Sequence, residues 1–287
     1  MERCLVTGSN GLIGKRLMAR LKNLGHTCRP LARSEWVNPE QVVWGFLPTM
    51  IFHLAAYGNH SWQTDTDEIY HTNIFKLLTL LEACKILNLK AFVNVGSSSE
   101  YGIKDKPMKE DMALEPTTHY AASKAAGTMI CRAWAAQAKM PIVTVRPFSV
   151  YGPGEDSRRF IPTIIDCAIT GKTLQLAPGV HDWIYADDVV DGMILVSQKA
   201  RELAGQAVNL GTGTQWDNDA VVDVVRVVTK REIHVEYLEK KIRSYDTYDR
   251  WAADISLVRS LGWNPQVELH QGIKRVYESI KKSNSGN

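Results

Sequence analysis

Tyr120 and Lys124 stand four residues apart in Thr117-Thr118-His119-Tyr120-Ala121-Ala122-Ser123-Lys124. On a helix this spacing puts both side chains on one face about a turn apart, so an ammonium lies beside a phenol. A free phenol, with a pKa near ~10, exchanges protons poorly at neutral pH; a neighbouring cation favours its ionised form and makes it a usable acid/base. The pair alone is common on ordinary amphipathic helices. Its meaning comes from the rest of the chain.

The elements that would position a ligand against this pair begin at the amino terminus. Cys4-Leu5-Val6 reads as a buried strand and runs into Gly8, Gly11 and Gly14, after which Lys15 to Leu24 carries Leu17, Met18, Leu21 and Leu24 at helical spacing and Gly25 supplies a stop. A strand, glycines three apart and a helix N-terminus form a pyrophosphate site, because glycine admits close backbone approach and the free N–H groups favour an anion. Asn10, Leu12 and Ile13 fall within the same loop.

Strands and amphipathic helices alternate from residue 4 to about 152, the pattern of a parallel sheet covered on both faces. Asn38-Pro39-Glu40-Gln41 is a helix start with a cap and a first-turn proline, and it introduces a short helix ending near Phe46. Only Glu35-Trp36-Val37 is left for a strand between the second strand and the Phe52 segment, so a stunted third strand is expected there. A helix is expected over Asp188 to Gln198 and a strand over Ala207 to Leu210, while Lys281 to Asn287 reads as a frayed polar end.

The 287 residues suffice for a nucleotide-binding unit and a smaller cap. A formal net charge of +3, with no basic run interleaved with aromatics, gives no sign of nucleic-acid binding. No apolar stretch approaches the roughly 18 residues of a membrane span, and Met1-Glu2-Arg3 leads into a core strand, so a cytoplasmic protein is expected. Cys4, Cys28, Cys84, Cys131 and Cys167 are scattered and read as buried free thiols, and no cluster has metal-ligand spacing.

Thr7-Gly8-Ser9-Asn10-Gly11-Leu12-Ile13-Gly14 resembles the Thr-Gly-x-x-Gly-x-x-Gly loop of the extended short-chain dehydrogenases, the NAD-dependent epimerase/dehydratase family, which act mostly on nucleotide sugars. Further ordered segments resemble that family. Phe52-His53-Leu54-Ala55-Ala56 is similar to its fourth strand, Asn73 to the Asn that opens a long helix, here Ile74 to Leu87, and Gly96-Ser97-Ser98-Ser99-Glu100-Tyr101-Gly102 to its hydroxyl segment. Arg146 to Gly154 resembles the stretch passing under the nicotinamide, and His181-Asp182-Trp183-Ile184-Tyr185-Ala186-Asp187-Asp188 the Arg-Asp-Phe-x-Tyr-Val-Asp-Asp signature.

The resemblance implies an α/β fold, a Rossmann-like doubly wound parallel sheet with a smaller C-terminal substrate-binding cap. Residues 1–152, completed by about 183–212, would form the NAD(P)-binding domain, and 153–182 with 213–287 the cap. It implies cofactor contacts from Leu54, Ala55, Ala56, Asn73, Pro147, Ser149 and Val150, besides the glycine loop, Tyr120 and Lys124. It also selects Ser97, four residues before the Tyr of Tyr-Gly, as the catalytic hydroxyl, with Ser98 as the fallback. Many NAD-binding members carry an acid where Ala32 stands; Ala32 followed by Arg33 and Ser34 favours NADP over NAD, through a guanidinium for a 2′-phosphate.

For the substrate, the resemblance points to Tyr57, Ser99, Ser149 and His181, although many members have Asn and Arg where Ser149 and His181 stand. Arg158, Arg159, Arg243 and Arg250 are replacement cations, each equally readable as a solvated surface residue; His60, Trp62 and Gln63 could contact the sugar. Ser98 and Ser99 occupy the positions where 4,6-dehydratases carry elimination groups, and Glu100 lies one step further, where an extended strand would reverse its direction. Reduction of a 4-keto sugar nucleotide is therefore the first expectation and 4-epimerisation the close alternative, with a 4,6-dehydratase or a non-catalytic NADP-binding sensor behind. Apolar residues beyond one stripe on Ile74 to Leu87 and Ala121 to Ala138 call for a partner, and relatives pair these helices into a homodimer.

Overall fold

The computed structural model describes residues 1–239 and 250–285. The apolar runs form a six-stranded sheet from β1 (Arg3–Thr7), β2 (Thr27–Leu31), β3 (Met50–His53), β4 (Ala91–Val95), β5 (Ile142–Pro147) and β10 (Ala207–Leu210). Its order is β10-β5-β4-β3-β1-β2 and every pairing is parallel. Alternation along each strand assigns the two faces: Cys4, Val6, Phe52 and Val93 join one buried cluster, while Leu5, Ile51 and Phe92 join the other. Because β1 is flanked by β2 on one side and β3 on the other, the connections diverge there and leave a crevice at the carboxyl ends of the strands.

Helices α1 (Leu12–Asn23) and α7 (Ala186–Gln198) cover one face. The other is covered by α2 (Pro39–Phe46), by a run of α3 (Thr66–Tyr70), a π turn (His71–Phe75) and α4 (Lys76–Cys84), and by α5 (His119–Ala138). Asn38 caps α2 by accepting from Gln41 N at 3.2 Å, and the described helices include none long and apolar enough to cross a membrane. The short strands β6 (Ser149–Tyr151), β7 (Leu174–Leu176), β8 (Val180–His181), β9 (Trp183–Tyr185), β11 (Trp216–Asp217) and β12 (Val235–Tyr237) join helices α6 (Phe160–Thr170) and α8 (Asn218–Thr229) around a second core. The last elements are α9 (Ser256–Ser260) and α10 (Leu269–Ser285); Ile161, Ile165, Trp183, Val222 and Ile273 centre the second core. Trp251, Ala253, Ile255, Val258 and Trp263, which the sequence groups with the cap, pack instead in the cluster that covers the sheet.

Several elements depart from expectation. Arg33–Val37 forms a 3-10 turn, not a third strand: Glu35 Oε2 accepts from Ala32 N at 2.7 Å and Oε1 from Arg29 at 2.9 Å, curling the segment, and β1 pairs directly with β3. Leu54 and Ala55 leave the sheet because their N–H groups donate to Thr7 Oγ1 at 3.1 and 3.0 Å. Asn73 does not open a helix. The helix starts at Thr66, capped by Asp65, ends at Cys84 rather than Leu87, and contains Asn73 within its π turn. Ser98–Tyr101 is a 3-10 turn where an extended strand was the premise for orienting Glu100.

Asp182 holds the sheet and the segments beyond it together. Its buried carboxylate accepts from Thr212 N and Oγ1, Gly213 N and Ala253 N at 2.6 to 3.0 Å, full satisfaction that makes such burial tolerable.

Candidate functional site

The glycine loop is built for close backbone approach. Gly8 has φ +64, and a Cβ on Gly8 or Gly14 would overlap backbone atoms of Leu54 or of Gly8 itself. Gly11 precedes α1 with no side-chain cap and no acid in the first turn, so the N–H groups there remain available to an anion. These features fit the pyrophosphate of a dinucleotide. Thr7 ties the loop to the end of β3: with both lone pairs engaged by Leu54 N and Ala55 N, its proton goes to His53 Nδ1 at 2.9 Å and fixes the neutral Nε2–H tautomer. Burial, and then the Lys124 charge, push the His53 pKa down to about 3.

A cavity of about 530 Å³ runs from this loop along the strand ends. Ser97, Tyr120 and Lys124 line it together, as do Gly8, Asn10, Gly11, Leu12, Ile13 and Gly14 with Leu54, Ala56, Pro147 and Val150. Thr118 caps α5 by accepting from Ala121 N at 3.1 Å, which places Tyr120 in the first turn and Lys124 one turn deeper. Lys124 is buried, and burial lowers its pKa to about 8 against the opposing pull of Glu100. At neutral pH it therefore still carries charge.

Ser97 sits at the start of the 3-10 turn. Its Oγ accepts from Ser99 N at 3.2 Å and lies 2.8 Å from Ser99 Oγ. Ser98 is buried away from the cavity, and Ser99 bears on Ser97 rather than on the lining. Glu100 turns inward. Its carboxylate accepts from Ser97 N at 2.8 Å, Thr128 Oγ1 at 2.7 Å and Arg146 Nε at 2.8 Å, with no exposure. Gly96 is required beside it, since a Cβ there would overlap Glu100 Oε1. Burial raises the Glu100 pKa, opposed chiefly by Arg146.

Asn73 acts from behind the lining. Its Nδ2 donates to Tyr57 O and Ser123 Oγ, both at 2.8 Å, and its Oδ1 accepts from Tyr57 N at 2.9 Å. Ser123 in turn donates to Tyr120 O at 2.8 Å. The π turn thus links the loop after β3 to the turn of α5 that carries Tyr120, and Tyr57 is held here by its backbone.

The far wall comes from two loops, residues 57–63 and 152–159. Gln63 Oε1 accepts from Gly58 N at 3.0 Å and His60 N at 3.2 Å, bracing the first loop. Arg159 lines the cavity, donates to Asn59 O at 3.3 Å and pairs with Glu155 at 3.3 Å. Arg158 instead lies outside the lining, over the Trp62 ring at 3.4 Å and paired with Asp156 at 2.8 Å. Ser149 and His181 face each other at 3.3 Å, also outside the lining. Arg33 and Ser34 are exposed at the end of β2, Arg250 is exposed before Trp251, and Arg243 lies outside the described residues.

Sequence reasoning missed Asn59, Phe148, Glu155 and Asp156 in the lining. Phe148 was legible in the Arg-Pro-Phe stretch, whereas an acid in a Gly-Pro turn reads as solvated. Among the described residues no group of three or more His, Cys, Asp or Glu could hold a metal ion.

Known proteins share this chain's family model and its fold. The model of the NAD dependent epimerase/dehydratase family matches residues 4–211. A trifunctional UDP-glucose 4,6-dehydratase/UDP-4-keto-6-deoxy-D-glucose 3,5-epimerase/UDP-4-keto-L-rhamnose-reductase of Arabidopsis thaliana is 28% identical over 248 residues, 79% of this chain and 35% of that protein. The chain thus spans about a third of the length of that relative. UDP-glucose 4-epimerase of Mycolicibacterium smegmatis is 27% identical, covering 97% of this chain and 98% of its own. Among solved structures, UDP-glucuronic acid 4-epimerase from Bacillus cereus, in complex with UDP-glucuronic acid and NAD, matches with a TM-score of 0.88 at 25% identity, covering 98% of this chain and 99% of that one.

Proposed function

The chain belongs to the NAD dependent epimerase/dehydratase family, and on that basis we propose that it is an NAD(P)-dependent oxidoreductase acting on a nucleotide-activated sugar, with reduction of a 4-keto sugar as its reaction. The convergence of Ser97, Tyr120 and Lys124 on the cavity that begins at the glycine loop carries this reading. Gly8 to Gly14 would hold the pyrophosphate and Lys124 the nicotinamide ribose. A bound nicotinamide supplies hydride to the sugar carbon. Tyr120 gives the matching proton to the sugar oxygen, made a better acid/base by the buried ammonium below it.

Ser97 shares the developing oxyanion. Ser99 N donates to Ser97 Oγ at 3.2 Å and the Ser99 hydroxyl lies 2.8 Å away; with Ser99 Oγ as the donor of that second bond, the Ser97 O–H is free to point at the sugar oxygen. Glu100, held by three donors in the core, is not placed to remove a proton from substrate, which argues against an elimination.

The exposed Arg33 and Ser34, with no acid at Ala32, support NADP as the preferred cofactor, and NAD remains compatible. Phe75, 58% exposed, and Met129, 45% exposed, lie on the two helices expected to pair, and we assign a homodimer to that face. Free thiols at all five cysteines suit the cytoplasm, where we place the reaction.

A 4-epimerase is the second reading, favoured by the Mycolicibacterium relative that matches end to end. The deciding experiment incubates the protein with UDP-4-keto-6-deoxy-glucose or UDP-glucose and either reduced or oxidised cofactor. Stoichiometric loss of NADPH absorbance with the keto sugar identifies a reductase. Conversion of UDP-glucose to UDP-galactose without net cofactor change identifies an epimerase, and neither outcome rejects both.

A further inference from the structure

Glu155 has no part in the chemistry described above, yet it sits in the same cavity as Ser97, Tyr120 and Lys124. Its side chain is only 6% exposed. One oxygen, Oε1, pairs with Arg159 Nε at 3.3 Å. The other, Oε2, is buried with no hydrogen-bond partner among the described residues. A buried carboxylate oxygen left unmatched is costly, and such an atom in a ligand cavity calls for a donor from the ligand.

The surroundings narrow what that donor can be. Burial pushes the Glu155 pKa up to about 7, with Arg159, then the Gly152 backbone and then Arg16 pulling it back. Arg159 is already engaged by Asn59 O and Glu155 itself, and Arg16 by Asp187 at 3.1 Å and by Leu12 O at 2.9 Å. The two cations are thus partly neutralised by the protein, and Glu155 makes this part of the wall a hydrogen-bond acceptor rather than an anion trap. A sugar hydroxyl can donate to it. A sugar carboxylate can only accept, and above a pH of about 7, where Glu155 is ionised, it meets like charge.

We infer that Glu155 is a specificity-determining contact that accepts a hydrogen bond from a hydroxyl of a neutral sugar and turns away a sugar bearing a carboxylate. This rests on the nucleotide-sugar reading given above.

The test measures dissociation constants of UDP-glucose and UDP-glucuronic acid by calorimetry above a pH of about 7, where Glu155 is ionised, for wild type, Glu155→Gln and Glu155→Ala, each loaded with cofactor. Wild type should bind UDP-glucose at least about tenfold more tightly than UDP-glucuronic acid. Glu155→Gln, which keeps size and removes charge, should tighten UDP-glucuronic acid and narrow that ratio by about tenfold. Glu155→Ala should weaken UDP-glucose by about tenfold, and both variants should retain cofactor affinity as evidence of an intact fold. An unchanged ratio in Glu155→Gln overturns the assignment, as does an equal loss for both sugars or a change confined to the cofactor. If wild type binds neither sugar nucleotide, the substrate reading itself fails and the assignment falls with it, an outcome distinct from the other three.

Discussion

Glu100 and Arg146 form an ion pair at 2.8 Å with side chains 0% and 2% exposed, and the same carboxylate receives the backbone N–H of Ser97. The candidate catalytic hydroxyl therefore stands on a charged pair sealed in the core. Such pairs are rarely worth much net stability, but removing one partner strands the other. Glu100→Gln should cost about 3–5 kcal/mol in denaturant unfolding, and Glu100→Gln with Arg146→Met should recover much of it. Neither should restore full turnover, because the glutamine amide has one acceptor oxygen where the carboxylate offers two, and Ser97 N and the Thr128 hydroxyl compete for it.

Tyr120→Phe should lower turnover by about 10²–10⁴ with cofactor affinity unchanged, since it deletes one hydroxyl and keeps the ring. Steady-state kinetics beside fluorescence titration of the cofactor checks this. Near wild-type turnover would rule out Tyr120 as the proton carrier.

Lys124 has a folded pKa of about 8 against 10.5 for an unperturbed lysine, so between those values the unfolded chain binds more protons and stability rises with pH in that window. Below about 8 the charge is held in both states and its burial is a standing cost. Lys124→Met should therefore melt higher than wild type at pH 7 while losing activity, and should flatten the rise in stability above pH 8. Wild-type turnover should decline as pH climbs through about 8, where the ammonium is lost.

Ser99→Ala removes the hydroxyl partner of Ser97 while leaving the backbone N–H in place. A fall in turnover of about tenfold with little change in substrate affinity is expected, since the lost interaction matters most as charge develops on the sugar oxygen. Equal loss in both parameters would mark Ser99 as a binding residue instead.

Arg33→Ala should weaken NADPH by about tenfold to a hundredfold, the worth of a charge-assisted pair, and leave NADH nearly unaffected. Equal effects on the two cofactors would reject the preference for NADP.

The sequence disclosed the sheet, the glycine loop and the Tyr120–Lys124 pair because each rests on local patterning: apolar runs, glycines at fixed intervals, and residues one helical turn apart. What it hid is set by long-range contact. The curl of Arg33–Val37 depends on Glu35 meeting Arg29, and the direction of Glu100 depends on a 3-10 turn and on Arg146, 46 residues away. Glu155 likewise reads as an exposed turn acid until Arg159 and the packing around it are seen. Ser149 and His181, which stand where many members have Asn and Arg, and the replacement cation Arg158 fall outside the lining, because each is engaged with a neighbour rather than with the cavity.

The π turn at His71–Phe75 places one extra residue in the helix between Asp65 and Cys84. Each residue of an α-helix turns the chain by about 100°, so the stretch before the turn and the stretch after it are phased against different neighbours. Deleting a single residue there would be a rotational error. Asn73 would swing off Tyr57 and Ser123, or Leu77, Leu80 and Leu81 would swing out of the core, since one straight helix cannot satisfy both sets. A change in length in this segment should therefore disturb the fold more than a substitution does, and a homologue lacking the insertion would have to hold its Tyr-bearing helix by other means.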